Sequence, residues 1–192
     1  MEKRKNITVY CASSPAISRD FFDAAEELAC LMAERKMSCI YGAGAQGLMG
    51  CIADTMLRYG GKVIGVIPRF MTERGWCHPA LTETIVTETM HQRKTVMAEK
   101  GDASIALPGG CGTIEELFEI ITWKQLGLYT HPIVVLNTNG YYNPLIEMLQ
   151  NAIDNHFMRD IHSKLWYTAN SPQEAIEAVL NLPEWDNKLT KF

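Results

Sequence analysis

The 192-residue sequence contains no hydrophobic run approaching the roughly 18 residues that a membrane-spanning helix needs. It also lacks an excess of basic residues, since its net charge is −4, which argues against nucleic acid as an electrostatic partner. Internal repeats, low-complexity tracts and linkers are missing as well. With 47% hydrophobic residues, a chain of this length is expected to form a single domain over residues 1–192, with no membrane partner.

The six cysteines lack the spacing of a metal site, because there is no CxxC pair and no histidine at zinc-finger distance. Most of them lie in apolar stretches, where cysteine packs as a small hydrophobic residue. The basic N-terminus leads into only six residues of strand-like sequence, too few for the core of a signal peptide. These absences predict a cytoplasmic protein without a bound metal.

Short apolar runs alternate with amphipathic stretches along the chain. The predicted strands are 7–12, 38–41, 62–67, 84–87, 103–107, 133–136 and 166–168, and the predicted helices are 19–36, 48–59, 90–99, 114–126, 144–155 and 172–180. Segment 68–79 is predicted to be irregular, and 182–192 shows no clear periodicity. This order predicts a doubly wound, Rossmann-like α/β domain with a mostly parallel sheet flanked by helices. In such sheets, ligands bind at the carboxyl ends of the strands, near a topological switch point.

A glycine-rich turn at 108–113 lies between a predicted strand and a predicted helix. Its glycines, which let the backbone approach a ligand closely, are Gly109, Gly110 and Gly112. The helix N-terminus behind them favours an anion, typically phosphate, and Thr113 adds a hydroxyl donor. A tight turn without a ligand is the alternative. The carboxylates directly behind the turn, Glu115 and Glu116, favour a functional site.

Helical spacing separates these two carboxylates. Apolar residues at i, i+3, i+4 and i+7 predict a buried stripe, formed by Ile114, Leu117, Phe118 and Ile121. Glu116 projects almost opposite that stripe, so it is the expected cleft carboxylate and Glu115 is the second choice. For Glu115, a solvated acidic first turn favoured by the helix dipole is a competing interpretation.

Two adjacent cations, Arg93 and Lys94, flank the line joining Met90 and Met97 on the predicted helix 90–99. A buried charge without a partner is costly. Either both side chains extend to solvent over apolar stems, or at least one meets a ligand phosphate or a site carboxylate. Arginine suits phosphate because its guanidinium binds with two parallel hydrogen bonds.

Two further strand ends carry polar or glycine-rich sequence. The first strand leads to Ser13 and Ser14, which offer two hydroxyls, and the second leads to the GxGxxG stretch 42–47, which includes Gly44. A dinucleotide enzyme is not favoured, because this turn follows the second strand and no acidic residue ends a strand about 20 residues later. Together, the three loops predict a phosphorylated, nucleotide-like ligand.

With these residues in place, the chain resembles the LONELY GUY (LOG) family. The family pattern PGGxGTxxE matches 108–116 throughout, and the family's basic motif corresponds to 90–94. Further similar stretches are 41–50, 102–107 and 122–127, and the likeness runs from residue 7 to about 180, the expected core of the domain. Ala43 stands where a glycine is common, which is expected to narrow the phosphate-side loop slightly. Gln92 stands where glutamate is common, which removes a charge beside Arg93 and bears on substrate preference.

The resemblance implies an N-glycosidase that hydrolyses a purine or cytokinin nucleoside 5′-monophosphate to the free base and ribose 5-phosphate. Arg93 and Glu116 are the expected catalytic pair. The expected substrate-binding residues are Ser13, Gly44, Met90, Lys94, Gly109, Gly110, Gly112, Thr113 and Glu115. No cofactor is expected. Many relatives are labelled "lysine decarboxylase", but a pyridoxal phosphate decarboxylase needs a Schiff-base lysine, and no lysine of this sequence stands in a suitable setting. A nucleotide-binding protein without catalysis is the alternative.

A homodimer is also expected, partly from the resemblance. The helix carrying Glu116 continues into the apolar residues Trp123, Leu126, Leu128 and Tyr129. A helix that is apolar on more than one side is normally covered. The helices after Thr113 and around 90–97 are therefore predicted to lie at or near a dimer interface, unless another part of the same chain covers this side.

Overall fold

The computed structural model of the protein describes residues 5–186, and within them seven strands form one sheet. The strands are β1 Asn6–Tyr10, β2 Ser38–Tyr41, β3 Lys62–Pro68, β4 Glu83–Thr87, β5 Ala103–Ala106, β6 Ile133–Leu136 and β7 Tyr167–Ala169. All neighbours pair in parallel, in the order β4-β3-β2-β1-β5-β6-β7. The chain builds one half outward from β1 to β4 and then crosses to β5 on the other side of β1. The topological switch point therefore lies between β1 and β5.

Seven α-helices connect the strands of the described chain. They are α1 Arg19–Glu34, α2 Gly47–Arg58, α3 Arg69–Glu73, α4 Met90–Lys100, α5 Cys111–Gln125, α6 Asn143–Asp154 and α7 Pro172–Asn181, and short 3-10 helices span Thr138–Gly140 and Asp160–Lys164. Within residues 5–186, no helix combines the length and apolarity required to cross a bilayer.

Each face of the sheet carries its own apolar core. Side chains alternate along the strands, so Ile7 and Val9 pack with α1, α2 and α7, while Tyr10 packs on the opposite face with α4 and α5. The predicted doubly wound α/β class is confirmed. Because both faces are covered by helices, ligand access is left to the loops at the strand ends.

Apart from shifts of one or two residues at element ends, such as β1 ending at Tyr10 rather than at residue 12, the structure differs from the sequence prediction in two segments. The stretch 68–79, predicted as irregular, contains the short helix α3, and α5 begins at Cys111 rather than at Ile114. The absence of periodicity after residue 182 agrees with the irregular backbone up to 186. Residues 1–4 and 187–192, on which parts of the domain and terminus predictions fall, lie outside the described residues.

Candidate active site

A cleft of about 680 Å³ opens at the carboxyl ends of the strands, at the switch point. Its floor is formed by the loops after β1, β2 and β5, which contribute residues 11–14, 42, 44–46 and 110–113. One wall comes from the first turns of α4 and α5, and another from Met71, Gly75 and Trp76 after β3. The three loops singled out in the sequence therefore meet at one place.

The glycine turn has every one of its carbonyl groups engaged. The carbonyls of residues 107–110 each accept a hydrogen bond, in order from the Tyr142 hydroxyl (2.7 Å), the Ala12 amide (3.2 Å), the Tyr141 hydroxyl (2.7 Å) and the Ile114 amide (3.0 Å). By contrast, the backbone N–H groups of residues 109–113 have no hydrogen-bond partner among residues 5–186. The turn thus offers a row of free donors at a helix N-terminus, which is an anion-binding arrangement.

Thr113 extends this row with a side-chain donor. Its residue is only 4% exposed and lines the cleft, and its hydroxyl has no partner within the described chain. A hydroxyl that lines a cleft and has no partner in the protein is free to donate to a ligand. Gly109 explains the position of Thr113, because any Cβ at Gly109 would overlap the Thr113 side chain, whereas Gly110 and Gly112 face open space.

Arg93 is buried and held by backbone carbonyls. Its Nε donates to the Val66 carbonyl and its Nη2 to the Gly42 carbonyl, both at 3.0 Å. The remaining nitrogen, Nη1, lies 3.8 Å from Glu116 Oε1. Gly42 is needed here because a Cβ at that position would overlap the guanidinium. Arg93 is therefore fixed against the sheet edge with one nitrogen directed at the carboxylate.

Glu116 lines the cleft with a side chain that is only 13% exposed. Burial raises its pKa from the ordinary 4.5 to about 7. The positive charge of Arg93 opposes this shift, and the nearby Glu115 adds to it. A carboxyl group with a pKa near neutrality can exchange protons at physiological pH, which suits a general acid or base.

Lys94 has a different environment from its neighbour Arg93. Its ammonium bonds to Glu115 and, at 2.9 Å, to Glu119, so it joins α4 to α5. Burial opposes the charge on Lys94, but these two bonds outweigh it and raise its pKa. The sequence expectation that at least one of the two cations meets a ligand phosphate or a site carboxylate is confirmed by Lys94, whereas Arg93 Nη1 lies 3.8 Å from Glu116.

The buried face of α5 differs from the predicted stripe. Leu117 and Ile121 are buried as expected, but Ile114 and Phe118 are only half-buried, and the face is completed by Thr113, Ile120 and Lys124. Glu116 lies at the border of this face. The expectation that Glu116 points away from the buried face was therefore wrong, and its position at the border is the reason that its carboxylate is desolvated.

The structure brings most of the predicted site residues together. Those that line the cleft are Ser13, Gly44, Met90, Arg93, Gly110, Gly112, Thr113, Glu115 and Glu116. Lys94 and Gly109 lie behind it, and their direct contact with a substrate stays a prediction. Neither departure from the family pattern lines the cleft. Ala43 is fully buried with a left-handed φ of 62°, and the Gln92 side chain accepts from the Glu88 amide at the start of α4, outside the cleft lining.

Sequence reasoning missed an apolar wall of the cleft. It is formed by Met49, Ile67, Met71 and Trp76 together with Met90. The segment that carries Met71, in α3, and Trp76, just after it, reaches the site because residues 77 and 78 dock on the loop after β2. Gly44 and Cys77 form an antiparallel bridge there, and the His78 amide donates to the Ala43 carbonyl at 2.8 Å.

This fold and cleft define a doubly wound α/β protein with an anion cradle and a pKa-shifted carboxyl group at its switch point. The family model described as "Possible lysine decarboxylase" matches residues 49–179. Cytokinin riboside 5′-monophosphate phosphoribohydrolase LOG2 of Arabidopsis thaliana is 41% identical over 189 residues, covering 98% of this chain and 89% of its own length. The enzyme of the same name from Rhodococcoides fascians is 46% identical over 149 residues, with 77% and 75% covered. The chain therefore belongs to the LONELY GUY (LOG) family.

Solved structures with the same fold include molybdenum cofactor proteins. The carrier protein from Chlamydomonas reinhardtii superposes with a TM-score of 0.73 at 21% identity, covering 94% of this chain and 98% of that one. The molybdenum cofactor binding protein from Rippkaea orientalis gives 0.72 at 19% identity, with 95% and 99% covered. At these identities the likeness establishes the fold alone.

Proposed function

We propose that this protein is a phosphoribohydrolase that cleaves the N-glycosidic bond of a purine or cytokinin nucleoside 5′-monophosphate, such as AMP. The observation that carries the proposal is the buried Glu116, with a pKa of about 7, beside a row of unpaired backbone donors. The donors suit a 5′-phosphate, and the carboxylate suits the ribose. The phosphoribohydrolase names of relatives that are 37–46% identical support the same reaction.

The proposed reaction is a substitution of the base by water at C1′ of the ribose. The bond between C1′ and the base nitrogen breaks, and its electron pair leaves with the base. The oxygen of water bonds to C1′ and gives one proton to ionised Glu116, while the departing base takes up one proton from solvent. Glu116 then releases its proton to solvent, so the products are free base and ribose 5-phosphate and the carboxylate is ionised again. The positive charge that develops on the sugar is stabilised by the same carboxylate.

Arg93 maintains the ionised form of Glu116 in this scheme. Its charge lowers the pKa of Glu116 against the effect of burial, so a useful fraction of the carboxylate is ionised near pH 7. Because two of its nitrogens are bound to carbonyls, the guanidinium keeps its position while the substrate binds. Such fixed charges act without reorganisation during the reaction.

The base is proposed to lie against the apolar wall. Met71 and Trp76 line the cleft with polarisable and aromatic surface, which suits a planar purine ring. This wall, rather than the polar turn, is expected to determine which bases are accepted.

A pyridoxal phosphate decarboxylase, which the description of the family model suggests, does not fit these residues. Such chemistry needs a lysine that forms a Schiff base within the site. Within residues 5–186, no lysine lines the cleft. The nearest in sequence to the catalytic pair, Lys94, is engaged by Glu115 and Glu119.

A homodimer in the cytoplasm is part of the proposal. Leu128, just after α5, is 71% exposed, which supports an interface there, although Tyr129 is buried within its own chain. The six cysteines are free thiols, which suits a reducing compartment. Sedimentation at micromolar concentration tests the assembly, and a fully active monomer of about the 21.6 kDa chain mass would exclude a functional need for the dimer.

Incubation with AMP and isopentenyladenosine monophosphate, followed by chromatography of the products, tests the reaction. The wild type should release free base and ribose 5-phosphate, and Glu116→Gln should lose on the order of 10²-fold or more in turnover. Glu147→Gln, on the exposed side of α6, is the matched control. Nucleotides that raise the melting temperature but survive incubation would instead indicate a binding protein without catalysis.

A further inference from the structure

Two tyrosines from a neighbouring loop hold the glycine turn from behind. Tyr141 donates to the Gly109 carbonyl and Tyr142 to the Leu107 carbonyl, both at 2.7 Å. Tyr142 is buried, and burial raises its pKa well above its usual range, so it remains a donor. Neither tyrosine belongs to the cleft lining, so both act on the site from outside it.

The bond from Tyr141 determines where the next N–H group points. Gly109 and Gly110 share a planar trans peptide, in which the carbonyl and the N–H point in opposite directions. Since the Gly109 carbonyl is turned away from the cleft toward Tyr141, the Gly110 N–H is turned toward the cleft, which Gly110 lines. A peptide between two glycines can rotate at little steric cost, so its orientation requires an external constraint.

The Tyr141 ring is itself fixed in place. Asn139 and Gly140 have left-handed φ values of 54° and 72°, which turn the chain after β6 back toward the site. The Tyr141 ring then meets Phe21 of α1 edge to face at 5.9 Å, and Asn139 donates to Asp20 at 2.9 Å. The hydroxyl is therefore presented by a turn that is anchored to α1.

We infer that Tyr141 is a positioning residue for phosphate binding: by holding the Gly109 carbonyl, it keeps the Gly110 N–H directed at the 5′-phosphate of the nucleotide. The inference rests on the proposed function for the identity of the ligand. It assigns Tyr141 no part in the bond-breaking step. Loss of the hydroxyl should therefore weaken phosphate binding and leave the acid–base chemistry of Glu116 intact.

The test is Tyr141→Phe, with Tyr167→Phe as the control, since the Tyr167 hydroxyl bonds only to Glu174 on the exposed surface among the described contacts. Tyr141→Phe should raise KM for AMP roughly five- to tenfold, with kcat changed by less than about twofold. The rising limb of the kcat/KM profile against pH, which reports the ionisation of Glu116, should lie at the same pH in Tyr141→Phe as in the wild type. The control variant should match the wild type in all three measurements.

A second measurement separates this inference from the proposed reaction. Calorimetric titration of AMP into Glu116→Gln, with and without Tyr141→Phe, reports binding even if no hydrolysis occurs. Weaker binding in the double variant supports the positioning role whether or not the wild type proves to be a hydrolase. Equal dissociation constants overturn it, as does a loss confined to kcat or to the melting temperature. Failure of the parent variant to bind AMP also overturns it.

Discussion

Replacing Glu116 by glutamine is expected to make the fold more stable at pH 8 while it strongly slows the reaction. The Glu116 carboxylate is buried, and its nearest cation, Arg93, stands at 3.8 Å, beyond hydrogen-bond distance. Glutamine has nearly the same shape but no charge to desolvate. The variant therefore resembles the wild type with Glu116 protonated, a form in which no buried charge opposes folding.

The pKa values give the size and the sign of this effect. In the unfolded chain Glu116 titrates near 4.5, and in the folded chain near 7. The folded state thus binds more protons between these values, so wild-type stability falls as the pH rises from about 4.5 to about 7. At about 1.36 kcal/mol for each pH unit, this loss is about 3 kcal/mol. For a chain of this size it corresponds to roughly 6–12 °C in melting temperature.

Unfolding by urea from pH 4.5 to 8.5, followed by circular dichroism, measures the difference. The two proteins should have similar stability near pH 4.5 and differ by about 3 kcal/mol at pH 8, with the glutamine variant the more stable. Glu147→Gln should follow the wild type at every pH. A glutamine variant that is less stable than the wild type at pH 8 would refute the reasoning, because it would show that the pair with Arg93 is a net structural contribution.

Three further predictions follow from the same structure. Because Arg93 lowers the pKa of Glu116, Arg93→Met should move the rising limb of the kcat/KM profile to higher pH, and an unshifted limb would contradict the pairing. Gly42→Ala should displace the guanidinium and cost on the order of 10²-fold in kcat/KM. The control is Gly60→Ala, at a left-handed position with open space around it, which should cost only about 1 kcal/mol of stability. Equal activity of the two alanine variants would contradict the prediction for Gly42→Ala. Burial lowers the pKa of Lys124 from 10.5 to about 8. The free energy of unfolding of the wild type should therefore rise by about 3 kcal/mol relative to that of Lys124→Met between pH 8 and 10.5. An equal difference between the two proteins in urea unfolding at pH 7 and at pH 10 would disprove this prediction.

The layer arrangement could be predicted from the sequence because strand and helix periods are local properties. The predicted strand 38–41 and the predicted helix beginning at residue 19 agree with the structure at those limits. The glycine turn was also recognisable, since a strand, three glycines and a helix follow one another within a few residues. The carboxyl-end rule then placed the three loops together without knowledge of the strand order.

The remaining part of the site depends on contacts between distant residues. The wall with Met71 and Trp76 is placed by the bridge between Gly44 and Cys77, which has no local sequence signal. The acceptors of Arg93 are backbone carbonyls, which no side-chain pattern reveals. Of these two acceptors, only Gly42 had a sequence signal, because it is the first glycine of the GxGxxG stretch, but no role was assigned to it from the sequence. The α5 face was mispredicted because packing against the sheet, rather than the apolar spacing alone, selects Thr113 and Lys124.

The contrast between the two cations of α4 separates structural from functional chemistry in this cleft. Lys94 is bonded to two partly exposed carboxylates, and this arrangement raises its pKa and ties α4 to α5. Arg93 instead donates from two nitrogens to backbone carbonyls and makes no hydrogen bond to Glu116. The effect of burial on Glu116 therefore exceeds that of the Arg93 charge, and the carboxyl pKa rises. A fold selected only for stability would be expected to join Arg93 to Glu116 by a direct hydrogen bond, as it joins Lys94 to Glu115 and Glu119. The Glu116 carboxylate and the unpaired backbone N–H groups of the glycine turn instead remain available to bind a substrate, as a functional site requires.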